Sequence, residues 1–284
     1  MRSLLLLIVP CLLVASLAHA KPEADLRKLA DEKIKVIRGE SESEWFTEGG
    51  EGLFQVAFGS DGPTDETNLG LGGPEIKKYS ITSFAARVSP DGNLAVVSYV
   101  IKTHYLVTMD EGGLYDDTLN RVTEIAKKTK DGWRVITGLW TVPVGNADIN
   151  KTAKAGKAGA LKPLPGGGDA SLIEAFTKLT TGTFDEAAAK RKDLVAFGSG
   201  PNERTVAGAG LAKAWQAGWV NKLKVDSVMA SKDSGATLGY VMANVTLQKT
   251  GYTIPFRLMF VFERKTTNDP WSLVHAHFAV PPPR

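Results

Sequence analysis

A stretch near the C-terminus, Trp271-Ser272-Leu273-Val274-His275-Ala276-His277-Phe278-Ala279-Val280-Pro281, has an earlier counterpart in Trp133-Arg134-Val135-Ile136-Thr137-Gly138-Leu139-Trp140-Thr141-Val142-Pro143. Both open on Trp, run through apolar and β-branched residues, and close on an aromatic residue, one spacer and Val-Pro, at a constant offset of 138 (133 to 271). A second echo, Val56-Ala57-Phe58-Gly59-Ser60 against Val195-Ala196-Phe197-Gly198-Ser199, has an offset of 139 (56 to 195). Two echoes in one order and nearly one phase, roughly 75 residues apart in each half, signify a duplicated domain rather than an array of short repeats. Such a chain is expected to fold as two similar bodies, so a reading made in one half can be checked in the other.

The start of the chain carries an address. Arg2, an apolar run from Leu4 to Leu17 broken by Pro10, and Ala18-His19-Ala20 predict a secretory signal peptide over residues 1–20, cut after Ala20. The run is short of the ~20 apolar residues a spanning helix needs, so export to a periplasm or the outside, with no stable membrane insertion after cleavage, is the expectation. Cleavage leaves 264 of the 284 residues and removes Cys11, the only cysteine. The mature chain would then hold no disulfide, no thiolate nucleophile and no Cys-ligated metal. Net charge is +3, both signs are interspersed, and Lys190-Arg191-Lys192 reads as a solvated helix end. No nucleic-acid partner is expected from that distribution.

Read in order, Leu26, Ala30, Ile34 and Ile37 recur at helical spacing and predict a first helix over 22–38. Ser41-Glu42-Ser43-Glu44 fits a capping box and predicts a short second helix. The second half repeats this with Leu172, Phe176 and Leu179, then Thr183-Phe184-Asp185-Glu186. The Phe-Gly-Ser element reads as a strand in each half, followed by a Gly/Pro-rich loop and a helix, from about 73 to 79 and from about 208 to 219. Strands are predicted at 81–88, 94–109, 121–128 and 133–142, and at 223–231, 236–248, 252–263 and 271–280, with turns at Asp91-Gly92-Asn93, Lys130-Asp131-Gly132 and Ser234-Gly235. Residues 145–168, rich in Lys, Ala, Gly and Pro and without an aromatic residue, read as a linker that buries little. The expected organisation is a first domain over 21–144 and a second over 169–284. Helices first and an antiparallel sheet after, twice, is an α+β pattern.

This order, with Phe197-Gly198-Ser199-Gly200-Pro201-Asn202-Glu203, Gly208 and the closing Trp271 to Pro281, resembles the SnoaL-like branch of the nuclear transport factor 2 superfamily. The family tends to end on His-x-Ser-x-Pro, here His277 to Pro281 with Ala279 in the serine's place; the first half has Leu139 for the histidine and Thr141 for the serine. The resemblance covers about 230 residues as two copies and implies two tandem cones, each with helices packed on a curved antiparallel sheet around one apolar pocket. Its members include an isomerase, dehydratases, cyclases and non-catalytic binding or oligomerising modules, so it specifies the fold more than the activity.

The chemistry-bearing residues are sparse. His275 and His277, two apart on a strand, project to one face and could serve as a general base with its neighbour; a pair of partly exposed strand histidines is the plainer reading. Asp193 and Asp226 are the carboxylates in apolar surroundings, with Tyr240 or Arg257 as polar partner; the first half offers Tyr99, His104 and Glu124 at positions that do not align with these. No carboxylate is tied to the histidine pair by spacing, so neither a metal nor a cofactor is expected. Two readings stay open: a binding module with an apolar pocket in the second domain, lined by His277, His275, Tyr240, Trp215, Asp193 and Asp226 and taking a small apolar ligand or a partner, or an isomerase or dehydratase with acid and base groups in the second cone. Apolar residues on both faces of the closing strands predict that the convex faces are covered, by an internal pseudo-dimer or a homodimer.

Overall fold

The structure is a computed structural model that describes residues 8–47, 52–56, 63–64, 75–109, 112–200 and 202–281. In the first half, helix α1 (Ile8–Ile37) is followed by strands β1 (Gly52–Val56), β2 (Pro63–Thr64), β3 (Glu75–Val88), β4 (Leu94–Met109), β5 (Gly112–Thr129) and β6 (Gly132–Thr141). Helix α2 (Asn146–Lys154) and the short β7 (Gly167–Gly168) connect to the second half. That half comprises α3 (Ala170–Thr181), α4 (Glu186–Lys190), β8 (Val195–Phe197), β9 (Arg204–Val206), α5 (Gly208–Gly218), β10 (Leu223–Lys232), β11 (Leu238–Lys249), β12 (Tyr252–Glu263) and β13 (Ser272–Ala279).

The two sheets repeat one another strand for strand. The first has the order β2-β1-β6-β5-β4-β3 and the second, read in the same direction, β9-β8-β13-β12-β11-β10, with β7 added at its edge. In each, the closing strand pairs in parallel with the Phe-Gly-Ser strand or its equivalent, β6 with β1 and β13 with β8, while the long meander is antiparallel. The chain is thus α+β, with helices against two mainly antiparallel sheets.

Strand alternation gives each sheet an inner and an outer face. In the first half Ala95, Val97, Tyr99 and Ile101 of β4, with Val122 and Ala126 of β5, face α1 and bury Leu26, Ala30 and Ile34. In the second half Val241, Ala243, Val245 and Leu247 of β11 and Phe256, Leu258, Phe260 and Phe262 of β12 enclose Leu172, Phe176 and Leu179 of α3 and Trp215 of α5. The outer faces meet each other: Leu94, Val96, Ile125 and Leu139 pack with Tyr240, Met242, Met259, Val261 and Val274 in one apolar cluster. The central strands of both sheets are therefore covered on both faces, which explains why they do not alternate cleanly between apolar and polar residues.

Several local expectations are corrected. Residues 75–79, read as part of a helix, belong to β3. Ser41 does not start a helix among the described residues; its hydroxyl bonds Glu32 and Ser43, and Phe46 bridges to Val135 instead. The cap of α4 is Asp185, whose carboxylate accepts from the Ala187 amide, rather than Thr183. The segment 145–168, expected to bury little, forms α2 and buries Ile149 and Ala153 against the second core and Leu164 in the outer cluster. Its backbone is held as well, since the Lys162 carbonyl accepts from Arg257 and from Asn244. The first-half loop residues 57–62, including most of the Phe58-Gly59-Ser60 echo, lie outside the described residues.

Gly208 is required by packing. A Cβ on Gly208 would stand 1.7 Å from the Ala188 carbonyl oxygen, so only glycine lets the start of α5 press on the end of α4.

Candidate functional site

The six side chains singled out in the sequence do not converge. Trp215 lies inside the second cone, its indole Nε1 donating to the Leu179 carbonyl at 2.7 Å. His275, His277 and Tyr240 lie on the other face of the same sheet, turned toward the first half. Asp193 and Asp226 are exposed at the surface. Asp193 forms ion pairs with Arg87 and Arg191, which hold its carboxyl well below the usual range, with the Arg191 hydrogen bond the largest cause. Asp226 is the extra residue of a β-bulge between Val225 and Ser227 and accepts from the Thr246 hydroxyl at 2.6 Å. The expectation that both carboxylates sit in apolar surroundings is thereby corrected.

The histidine pair is satisfied by the first half. The Thr123 hydroxyl lies 2.8 Å from His275 Nε2 and 2.9 Å from His277 Nδ1, and the Thr141 hydroxyl lies 2.8 Å from His277 Nε2. The Phe197 ring stands edge-on to both imidazoles. Burial, reinforced by the Arg87 charge, lowers the pKa of His275 to about 3; burial, reinforced by His275 and the Arg121 charge, pushes that of His277 well below its ordinary value. Both rings are neutral at physiological pH, and the Thr123 hydroxyl, placed between two ring nitrogens, can donate to one and accept from the other. A neutral, fully bonded pair between two sheets is a structural element of the seam.

One cavity of the second half opens on the inner face. It encloses about 550 Å³ beneath α2 and between α5, the 198–203 loop and strands β11 to β13. Its walls are Trp215, Trp219, Ile254, Phe256 and Phe278, and its polar groups include Asn146, Asn150 and Glu203. The aromatic wall is self-supporting: Trp215 and Trp219 stack at 5.7 Å, and Trp219 meets Phe256 at 4.6 Å and Phe278 at 5.1 Å. The helical spacing of Leu211, Trp215 and Trp219 places that wall on one side of α5 and its C-terminus. Glu203 accepts from the Gly200 amide at 2.8 Å and from the Asn146 side chain, and Tyr252 donates to Asn150 at 2.8 Å.

A different constellation occupies the first cone. Lys33, on the buried stripe of α1, donates to the Tyr99 hydroxyl at 2.6 Å and to Glu124, and Tyr99 donates to the other oxygen of Glu124 at 3.1 Å. The ammonium also lies 4.7 Å from the Trp140 ring centre and 5.8 Å from that of Trp45. Burial lowers the lysine pKa against the opposing pull of Glu124, and burial raises that of Tyr99 well above its ordinary value. Sequence reasoning named Tyr99 and Glu124 but missed Lys33. The available signal was its position: residues 26, 30, 33 and 37 share one face of a helix, so a lysine at 33 must point into the core. Arg121, Thr123 and Asn146 were missed because their partners lie far away in the chain. His104 is half-buried at the register of Lys78, apart from this triad. Among the described residues, no group of three His, Cys, Asp or Glu is placed to hold a metal, and no helix is long and apolar enough to cross a membrane.

No known family model matches the chain, and no curated protein matches it either. Solved structures to which it is similar include a nuclear transport factor 2-like superfamily protein from Salmonella enterica serovar Typhimurium, 13% identical, covering 45% of this chain and 95% of the other at a TM-score of 0.35. A nuclear transport factor 2-like protein with a cystatin-like fold from Novosphingobium aromaticivorans is 18% identical over 48% of this chain and 91% of its own, at a TM-score of 0.32. Another such protein, from Rhodospirillum rubrum, is 17% identical over 44% of this chain and 98% of its own, at a TM-score of 0.31.

Proposed function

We propose that the protein is an exported binding module in which the second cone holds a small, largely apolar ligand and the first serves as its scaffold, the two halves forming an internal pseudo-dimer through their outer faces. The observation that carries the reading is the cavity of about 550 Å³, in which one aromatic wall of Trp215, Trp219, Phe256 and Phe278 faces polar side chains that include Asn146, Asn150 and Glu203. That combination suits a compact apolar molecule with one or two polar atoms. Binding is favoured over turnover because the one carboxylate on the cavity, Glu203, is already bonded to the Gly200 amide and to Asn146. An acid/base reading would have to move to the first cone, where Lys33, Tyr99 and Glu124 satisfy one another.

Native mass spectrometry of protein purified from its source tests the reading: a bound small molecule is expected, retained in His277→Ala and lost in Trp219→Ala. Full retention in Trp219→Ala would exclude the second-cone cavity as the site. The same spectrum tests export, since the mature chain is expected to begin at Lys21. The pseudo-dimer is tested by expressing the halves separately; stable halves with no affinity for each other would exclude it.

A further inference from the structure

We infer that Arg121 of the first half is a positioning residue for the cavity of the second, fixing Gly198, Ser199, Gly200 and Glu203 in the arrangement that binds ligand; this rests on the reading of that cavity as a ligand site. The loop closes on itself through three hydrogen bonds: the Gly198 amide to the Glu203 carbonyl at 2.7 Å, the Glu203 amide to the Gly200 carbonyl at 3.0 Å, and the Gly200 amide to the Glu203 carboxylate at 2.8 Å. It is tight enough that a Cβ on Gly198 would stand 2.5 Å from that carboxylate. Its outward carbonyls are taken up by residues that precede the second half. The Arg121 guanidinium donates to Gly198 and, at 2.5 Å, to Gly200, and the Val144 amide donates to Ser199 at 2.8 Å.

Three consecutive carbonyls are thus held from outside the second cone, two of them by one planar fork. A guanidinium has its donors in fixed relative positions, so binding two carbonyls two residues apart sets the orientation of the peptide between them as well as its position. Strand alternation aims it there: Arg121, Thr123 and Ile125 face the second half, whereas Val122, Glu124 and Ala126 face α1. The Arg121 side chain also passes over the Phe197 ring, at 5.8 Å, and so braces both ends of the segment that leads into the loop. The loop in turn supplies Gly198, Ser199, Asn202 and Glu203 to the cavity, and Glu203 ties down Asn146 at the start of α2. The ligand site is therefore assembled across the duplication, and loss of this one side chain releases both the rim and its covering helix.

The test uses the full chain and the fluorescent probe 8-anilinonaphthalene-1-sulfonate, whose binding is followed in wild type, Trp219→Ala, Arg121→Met, Arg121→Lys and Thr123→Val, with hydrogen exchange measured over residues 197–204. Thr123→Val serves as control, since it weakens the same seam without touching the loop. Expected are single-site binding lost in Trp219→Ala, a tenfold or greater weakening in Arg121→Met with faster exchange in the loop, an intermediate effect in Arg121→Lys, and wild-type affinity in Thr123→Val. Affinity lost in Trp219→Ala but unchanged in Arg121→Met overturns the role of Arg121 and leaves the cavity standing. Equal weakening in Arg121→Met and Thr123→Val overturns it too, because a loosened seam would then suffice. Unchanged affinity in Trp219→Ala overturns the cavity and the inference together. If Arg121→Met does not fold, wild-type affinity and exchange in Arg121→Lys overturn the inference.

Discussion

The two cones share a strand order and differ in what they enclose. The first closes over an ion pair and a phenol, Lys33, Glu124 and Tyr99, with tryptophan rings against the ammonium. The second closes over phenylalanine and tryptophan and leaves a cavity at its mouth. One backbone topology therefore tolerates opposite interiors, because the sheet's hydrogen bonds and its outer seam are indifferent to what the inner face carries. The division also bears on the reading of function: a core whose charged groups pair with one another suits a scaffold, and an apolar interior with a cavity suits a ligand.

Breaking each interior should cost a similar amount but respond differently to repair. Lys33→Met leaves Glu124 buried without its cation and is expected to cost about 3–5 kcal/mol in urea denaturation, whereas Lys33→Met/Glu124→Met is expected to regain most of it. Trp215→Ala should also cost about 3–5 kcal/mol, through lost burial and the void left behind, and no change of charge elsewhere should restore it. Failure of the double variant to recover would mean that the first cone depends on packing as the second does.

The seam should respond to acid while the second cone's apolar interior does not. His275 titrates near 6.5 unfolded and at about 3 folded, so between those values the unfolded chain binds the extra proton. Stability then falls as pH falls through this window, by about 1.4 kcal/mol per pH unit for each such histidine, and is unaffected by it above 6.5. Denaturation midpoints measured from pH 7 to 4 should show a shallower fall in His275→Gln than in wild type; parallel profiles would remove this histidine from the acid response.

Smaller effects sharpen the same contrast. Thr123→Val removes the hydroxyl shared by both histidines and is expected to cost about 1–3 kcal/mol at neutral pH, read as a lower midpoint with an unchanged slope. Asp226→Asn, on the exposed bulge, should change stability by less than about 0.5 kcal/mol. A large effect there would reinstate Asp226 as more than a surface carboxylate.

The sequence alone determined the duplication, the long meander strands of each half in outline and the principal second-half helices, because these follow from periodicity and from turn residues, which act locally; the first part of β3, read as helix, and the first part of β5, Gly112 to Asn120, were not legible. Strands β4 and β12 have the predicted bounds, Leu94–Met109 and Tyr252–Glu263. It also determined that His275 and His277 share a face. Which face was decided by tertiary structure: a bulge opposite Val261 and Phe262 puts Val274 on the same side as His275, so that Leu273 points inward and the histidines outward. The same holds for Lys33, whose helical phase was legible but whose partners lie 66 and 91 residues away, and for Arg121, which meets its carbonyl partners 77 and 79 residues on. Local pattern sets the direction in which a side chain leaves the backbone. What stands in that direction is set by how the two sheets close on each other, and no period in the sequence encodes that distance.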